Sequence, residues 1–251
     1  MKARTAAYAG VQLGDYLTGR GLLALMLTAL AAWGYGVVNG LTLSVFDPSA
    51  SMETREQLQQ AFDVLLAAFA LVAAALSAQS LVARHRRRRY DRVLFSNAVS
   101  PVRYYAQGFV LAGLGSALLG AAAAEVYAVA VHPIALAGTA AYLVLAWLSI
   151  GSLAFLLSVL TPWHTPVLIA LLGADLAVDR LVTALHSDGR GGAAIDLAQY
   201  LLPPGHVIVA LASSFSRGLI VDPRVLAWPV VFGILALVAA LLLLRRRPFG
   251  T

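Results

Sequence analysis

The 251-residue chain has no cysteine, which excludes disulfide cross-links and thiolate metal sites alike and leaves the redox compartment open. Its only lysine is Lys2. A Walker A loop needs a Gly-Lys-Ser/Thr step to cradle phosphates, so this chain does not supply that ATP-hydrolysing motif. Charge is scarce as well: Asp, Glu, Lys and Arg make up 12% of the residues, against about 25% in an ordinary soluble domain. Hydrophobic residues reach 60% and the mean hydropathy is +0.81, which argues against a soluble single core. His85, His132, His164, His186 and His206 form no His-Glu-x-x-His helix and no close carboxylate cluster, so neither a zinc protease nor any other metal site is expected. "SIGSL" at 149–153 has the look of an intramembrane serine nucleophile but has no histidine partner on a neighbouring span at matching depth. No catalytic residue is assigned.

What the chain does have is long apolar runs. Six are of a length, at roughly 20 residues, to cross a hydrocarbon core of about 30 Å. They lie near 21–38, 61–83, 106–130, 134–160, 166–185 and 225–244. Only "VHP" separates the third from the fourth and "TPWHTP" the fourth from the fifth, so proline marks tight reversals. The expected fold is an all-α integral membrane protein of six transmembrane helices in a single domain, 1–251. Its first twenty residues form a short helix along the interface, and the first span is retained and not a cleaved signal.

The basic residues decide the orientation. With a cytoplasmic N-terminus, alternation puts Lys2, Arg4, Arg20, Arg84, Arg86, Arg87, Arg88, Arg89, Arg92, Arg103, Arg245, Arg246 and Arg247 inside. Arg55, Arg180, Arg190, Arg217 and Arg224 fall outside, mixed with acidic residues. That asymmetry follows the positive-inside rule and predicts that both termini are cytoplasmic.

The arginine run after the second stretch serves first as an inner-face lipid anchor. Arg84, Arg86, Arg87, Arg88 and Arg89 lie among anionic headgroups, at about 1 kcal/mol each. A nucleic-acid partner is not expected, because no groove-reading module accompanies the run. Beyond it, Phe95, Val99 and Val102 recur at i, i+4 and i+7 with Val93 and Leu94 adjacent, and Pro101 discourages helix at Ser100. This describes a short cytoplasmic helix whose apolar face has no evident cover in the chain.

Charges inside the bilayer cost about 2.5–3.5 kcal/mol on insertion scales, so those present are candidates for function. Asp175 and Asp179 share one face of the fifth stretch, and Arg180 is placed to pair with Asp179 near the outer end. Asp175, Asp179 and Glu125 are candidates for a substrate path or a dimer seam. Glu125 and Asp63 are expected near the outer surface. Gly108, Gly113, Gly115 and Gly120 allow close helix approach within one bundle. The segment 186–222 is expected to form two short helices broken at Pro203 and Pro204 that re-enter or cap the outer end, with Tyr200, Pro203, Pro204 and His206 as gate residues.

The passage "RVLFSNAVSPVRYYAQGFVLAG", set between the second and third stretches, resembles the permease subunits of type 2 ABC transporters. "WLSIGSLAFLLSVL", "YLLPPGHVIVAL" and the closing "RRRPF" are similar to that family too. Where many relatives carry an acidic Glu-x-Glu-x-Gly-Thr-like segment, this chain has "RHRRRRYDR", so the acidic contacts do not carry over. The resemblance implies a coupling helix in which Val93, Leu94, Phe95, Asn97, Val99, Ser100 and Pro101 meet two separate ATP-binding subunits. ATP and Mg would be bound on those partners. It also implies a second permease copy or homologue and an external gate formed by the segment after the fifth span. An exporter in a bacterial inner membrane is the expectation, in line with the Gly, Ala and Arg bias of the composition. The rival reading is a proton-coupled secondary transporter that uses the intramembrane carboxylates.

Overall fold

A computed structural model of the chain describes residues 10, 13–14, 16–38, 52–79, 82, 100–130, 133–187, 197 and 199–246, of which 31–38, 52–55, 77–79 and 130 are described as backbone alone. The described residues are about 90% helix and include no strand. A π-helical turn, Tyr16–Gly21, leads into α1 (Leu22–Val38). α2 (Met52–Gln79) and α3 (Pro101–Ala130) follow. α4 (Leu136–Ala146), a π-helical segment (Trp147–Gly151) and α5 (Ser152–Leu160) form one continuous rod. Then come α6 (His164–Ser187), α7 (Gly205–Ser216) and α8 (Pro223–Arg246).

Among the described residues four helices are long and apolar enough to cross a membrane: Glu56–Leu76, Pro101–Val129, Leu136–Leu160 and Pro223–Arg246. Helices also cover the two other stretches expected to span, but with different character. α1 has 17 residues, and the apolar part described there is Tyr16–Leu30. α6 has 24 residues, enough to span, but Asp175, Asp179 and Arg180 crowd its centre and lower its apolar content.

The rod Leu136–Leu160 is the axis of the bundle, with 78% of its most apolar stretch buried, whereas the corresponding share of Pro223–Arg246 is 22%. The helices meet where small residues let backbones approach, the usual device when lipid is as apolar as leucine. The Trp147 indole fills the notch at Gly113 of α3 and lies over Gly151, with Phe109 5.2 Å away, ring to ring. Phe109 also stacks on Phe155 at 5.4 Å. Gly233 of α8 touches the Leu148 carbonyl so closely that a β-carbon there would lie 2.4 Å from it. Gly120 receives Leu143 and Phe69, and Gly115 receives Tyr16. Tyr16 is buried, its hydroxyl paired with that of Ser116, so the turn before α1 packs into the bundle.

α3 starts at Pro101. Proline suits the first helical turn because its missing N–H would have no partner there. The Ser100 carbonyl accepts the Tyr104 N–H at 3.0 Å. The apolar-faced segment expected before it, with Val93, Leu94, Phe95, Asn97 and Val99, and the arginine run with Arg84, Arg86, Arg87, Arg88 and Arg89, lie outside the described residues.

Candidate functional site

The polar chemistry of the bundle gathers around α7. Pro203 and Pro204 break the helical turn that precedes it, and Pro203, Pro204 and Gly205 are all buried. Irregular backbone of this kind is tolerated in a membrane protein only where protein covers it. The first turn of α7 meets Asp175, which lies half-way along α6 and is 1% exposed. One carboxylate oxygen of Asp175 accepts the His206 backbone N–H at 2.6 Å, and the other is 2.7 Å from His206 Nδ1. Asp175 therefore caps a helix that is not its own, taking one of the N–H groups that every helix start leaves free. Glycine at 205 makes this possible, because a β-carbon would stand 2.9 Å from the Asp175 carboxylate.

The far end of α7 has a second carboxylate. Asp63 of α2 is buried and accepts hydrogen bonds from the Ser216 hydroxyl at 2.5 Å and the Gln59 side-chain amide at 2.9 Å. The Gln59 amide also donates to Ser216 Oγ at 3.0 Å. Arg217 bonds Glu56 at 2.8 Å and stands 3.7 Å from Asp63. The Ser216 carbonyl accepts the Ala135 N–H at 2.7 Å, and Gly138 leaves room for the Phe215 carbonyl. Glu56, Gln59, Pro133, Ile134, Ala135, Ser216 and Arg217 line an open cleft here.

Among the described residues outside the membrane-spanning helices, His206 and Arg217 are displaced from their ordinary titration range. The hydrogen bond to Asp175 raises His206, partial burial opposes it, and the negative charges of Asp175 and Asp179 add to the rise. The bond to Glu56 raises Arg217 further above its already high value, which leaves it charged at any physiological pH.

The chain is similar to none of the family models, curated proteins or solved structures with which it was compared.

The sites expected from sequence are distributed unevenly. Asp175 and His206, proposed for different roles, form one pair with Pro203 and Pro204 beside it. Asp179 accepts a hydrogen bond from the Gln199 amide at 3.2 Å. No ion pair joins Asp179 to Arg180 among the described residues. Adjacent positions on a helix point in different directions, so the expected local pair does not form. Tyr200 is half-exposed and meets Trp228 edge to face at 5.7 Å, and Trp228 meets Phe232 at 5.6 Å. Glu125 stands on the exposed face of α3 with Ala122, Val126 and Val129, and no hydrogen bond or ion pair links it to Asp175 or Asp179 among the described residues. Among the described residues no three His, Asp or Glu side chains converge as metal ligands.

The Asp63 cluster is the feature that sequence reasoning missed. Glu56, Gln59 and Asp63 fall at helical spacing on one face of α2, a signal present in the sequence. Their partners Ser216 and Arg217 lie more than 150 residues away, and nothing local announces them.

Proposed function

We propose that this chain is the membrane-spanning permease subunit of an ATP-driven ABC-type exporter, working as a dimer or with a homologous permease and driven by two separate ATP-binding subunits in a bacterial cytoplasmic membrane. The observation that carries the reading is the juxtaposition at Pro101. A membrane-length helix begins there, directly behind an arginine-rich segment and a short apolar-faced stretch, in a chain whose only lysine is at position 2. Such a chain has a place to receive force and no nucleotide loop to generate it. In this reading six helices span with both termini inside, and α7 is a re-entrant helix closing the outer end. Val93, Leu94 and Phe95 fill a pocket on the ATPase with Asn97, Val99 and Ser100 around them. The arginines 84 and 86–89 grip anionic lipid. The cargo class that suits so apolar a bundle is amphipathic.

The test is purification of the tagged full chain from cells that also express its ATP-binding subunits. Vanadate-sensitive ATPase activity should copurify, and Phe95→Asp should remove most of it while leaving the amount of folded chain unchanged. Unchanged copurification and transport in that variant overturns the docking assignment. Outside labelling of a cysteine placed in the arginine run overturns the topology.

A second reading draws support from one specific feature. A buried carboxylate half-way along a membrane helix, bonded to a histidine, is the type of pair that proton-coupled transporters use. Transport by the purified chain alone, driven by a proton gradient and insensitive to vanadate, would establish that reading in place of the first.

A further inference from the structure

The two anchors of α7 differ in chemistry. At the Ser216 end the partners of Asp63 are a hydroxyl, an amide and a guanidinium, none of which titrates near neutral pH. At the Gly205 end one of the two donors to Asp175 is an imidazole, the side chain that does. Between the anchors Ile208, Leu211 and Ala212 are buried against the bundle. The side chain of Asp175 is 1% exposed and that of His206 15%, so the imidazole is the less enclosed member of the pair.

We infer that α7 is a strap with a pH-sensitive catch: protonated His206 holds its first turn against Asp175, and loss of that proton loosens the turn while the Ser216–Asp63 anchor stays fastened.

The sign follows from linkage. A carboxylate neighbour favours the imidazolium, and His206 is raised above its ordinary value in the closed arrangement. The extra hold is complete below the ordinary histidine value of about 6.5 and is lost as pH rises through the raised one. The charged groups of the surrounding helices are consistent with this assignment. Asp175 and Asp179 of α6 both act on His206 in the same direction, and Arg180 of that helix is exposed. Glu56 and Asp63 of α2 are engaged with Arg217 and Ser216 at the opposite end. Tyr142 of α4 lies against Phe215, also near that end. Arg224 of α8 is exposed at the start of its helix. The inference is independent of which energy source drives the chain, because it concerns the strap and not the motor.

Because the chain has no cysteine, an introduced one is its only thiol. Ile208→Cys, on the fully buried face of α7, reports lifting of the strap. Ile220→Cys, fully exposed in the following loop, reports the reactivity of a free thiol at the same pH. The full chain in lipid nanodiscs is labelled with a membrane-impermeant maleimide from about pH 6 to about pH 8.5, a range that brackets histidine titration. The ratio of the Ile208→Cys rate to the Ile220→Cys rate should rise several-fold across that range, and adding His206→Gln should flatten it. A ratio that stays constant with pH, or an equal rise in the His206→Gln background, overturns the catch. Hydrogen exchange on the unaltered chain gives a second reading that needs no variant. After correction for the intrinsic rate, amides 206–209 should exchange faster above the transition while 213–216 do not change. Uniform behaviour of the two groups also overturns it.

Discussion

Around Trp147 the helices touch through glycine, ring carbon and carbonyl, whereas around α7 they touch through carboxylates, hydroxyls, an amide and an imidazole. Lipid tails supply no hydrophobic force to drive helices together, so the axis depends on close dispersion contact at Gly113, Gly120 and Gly233. The buried hydroxyls of Ser149 and Ser152 have no hydrogen-bond partner among the described residues, and these serines act there as small residues that permit approach. The region around α7 has the opposite problem. Its chain direction changes at Pro203 and Pro204, which frees backbone groups that must be bonded. Asp175 meets that need at the His206 N–H, while Asp63 holds the other end of α7 through the Ser216 hydroxyl. Packing of the first kind has one geometry, while bonds of the second kind can be exchanged, which is the contrast that a strap on a fixed axis requires.

Substitutions at the two regions sharpen this contrast. Gly233→Val should have the largest effect, because its side chain meets the Leu148 backbone, which cannot step aside. A loss of about 2–3 kcal/mol, in the range of overpacked cores, should show as a lower melting temperature in detergent and a reduced yield of monodisperse chain. Asp175→Ala comes next at about 2 kcal/mol, combining a lost helix cap with a half-buried imidazole donor left unpaired. Its unfolding should also lose the pH dependence that His206 confers. Ser216→Ala should cost about 1 kcal/mol, the net worth of one hydrogen bond, since Asp63 retains Gln59. Glu125→Gln, on the exposed face of α3, should leave the melting temperature within error. If Gly233→Val proves milder than Ser216→Ala, the division of labour between axis and strap is wrong.

The helical class and the four membrane-length helices were legible because each needs only a local signal, an apolar run bounded by proline, glycine or charge. Pro101 as a helix boundary, and Pro203 and Pro204 as a break, were equally local, although the third stretch was expected to begin near 106 and its helix begins at Pro101. Asp175 was marked by its depth in an apolar stretch. Its pairing with His206 was not, because the two lie 31 positions apart in the chain and only the fold brings them together. Asp63 was expected near the outer end of the second stretch, a depth that its burial inside the protein does not contradict. It is buried because α7 folds back over it, an event that no periodicity in α2 encodes. Asp175, Asp179 and Arg180 at the centre of α6 set it apart from the four expected spans whose helices are long and apolar enough to cross.

The π-helical segment Trp147–Gly151 has a geometric consequence for the central rod. Each of its hydrogen bonds closes over one residue more than in an α-helix, so the turn holds an extra position. Positions downstream of Gly151 are rotated by about 100° from where an uninterrupted α-helix would set them. The side of the rod that Leu143 and Tyr142 present and the side that Phe155 and Val159 present therefore belong to different stripes of the sequence. Removing one residue from this turn would rotate the Ser152–Leu160 half by about 100° and turn the face it now packs on α8 away from that helix.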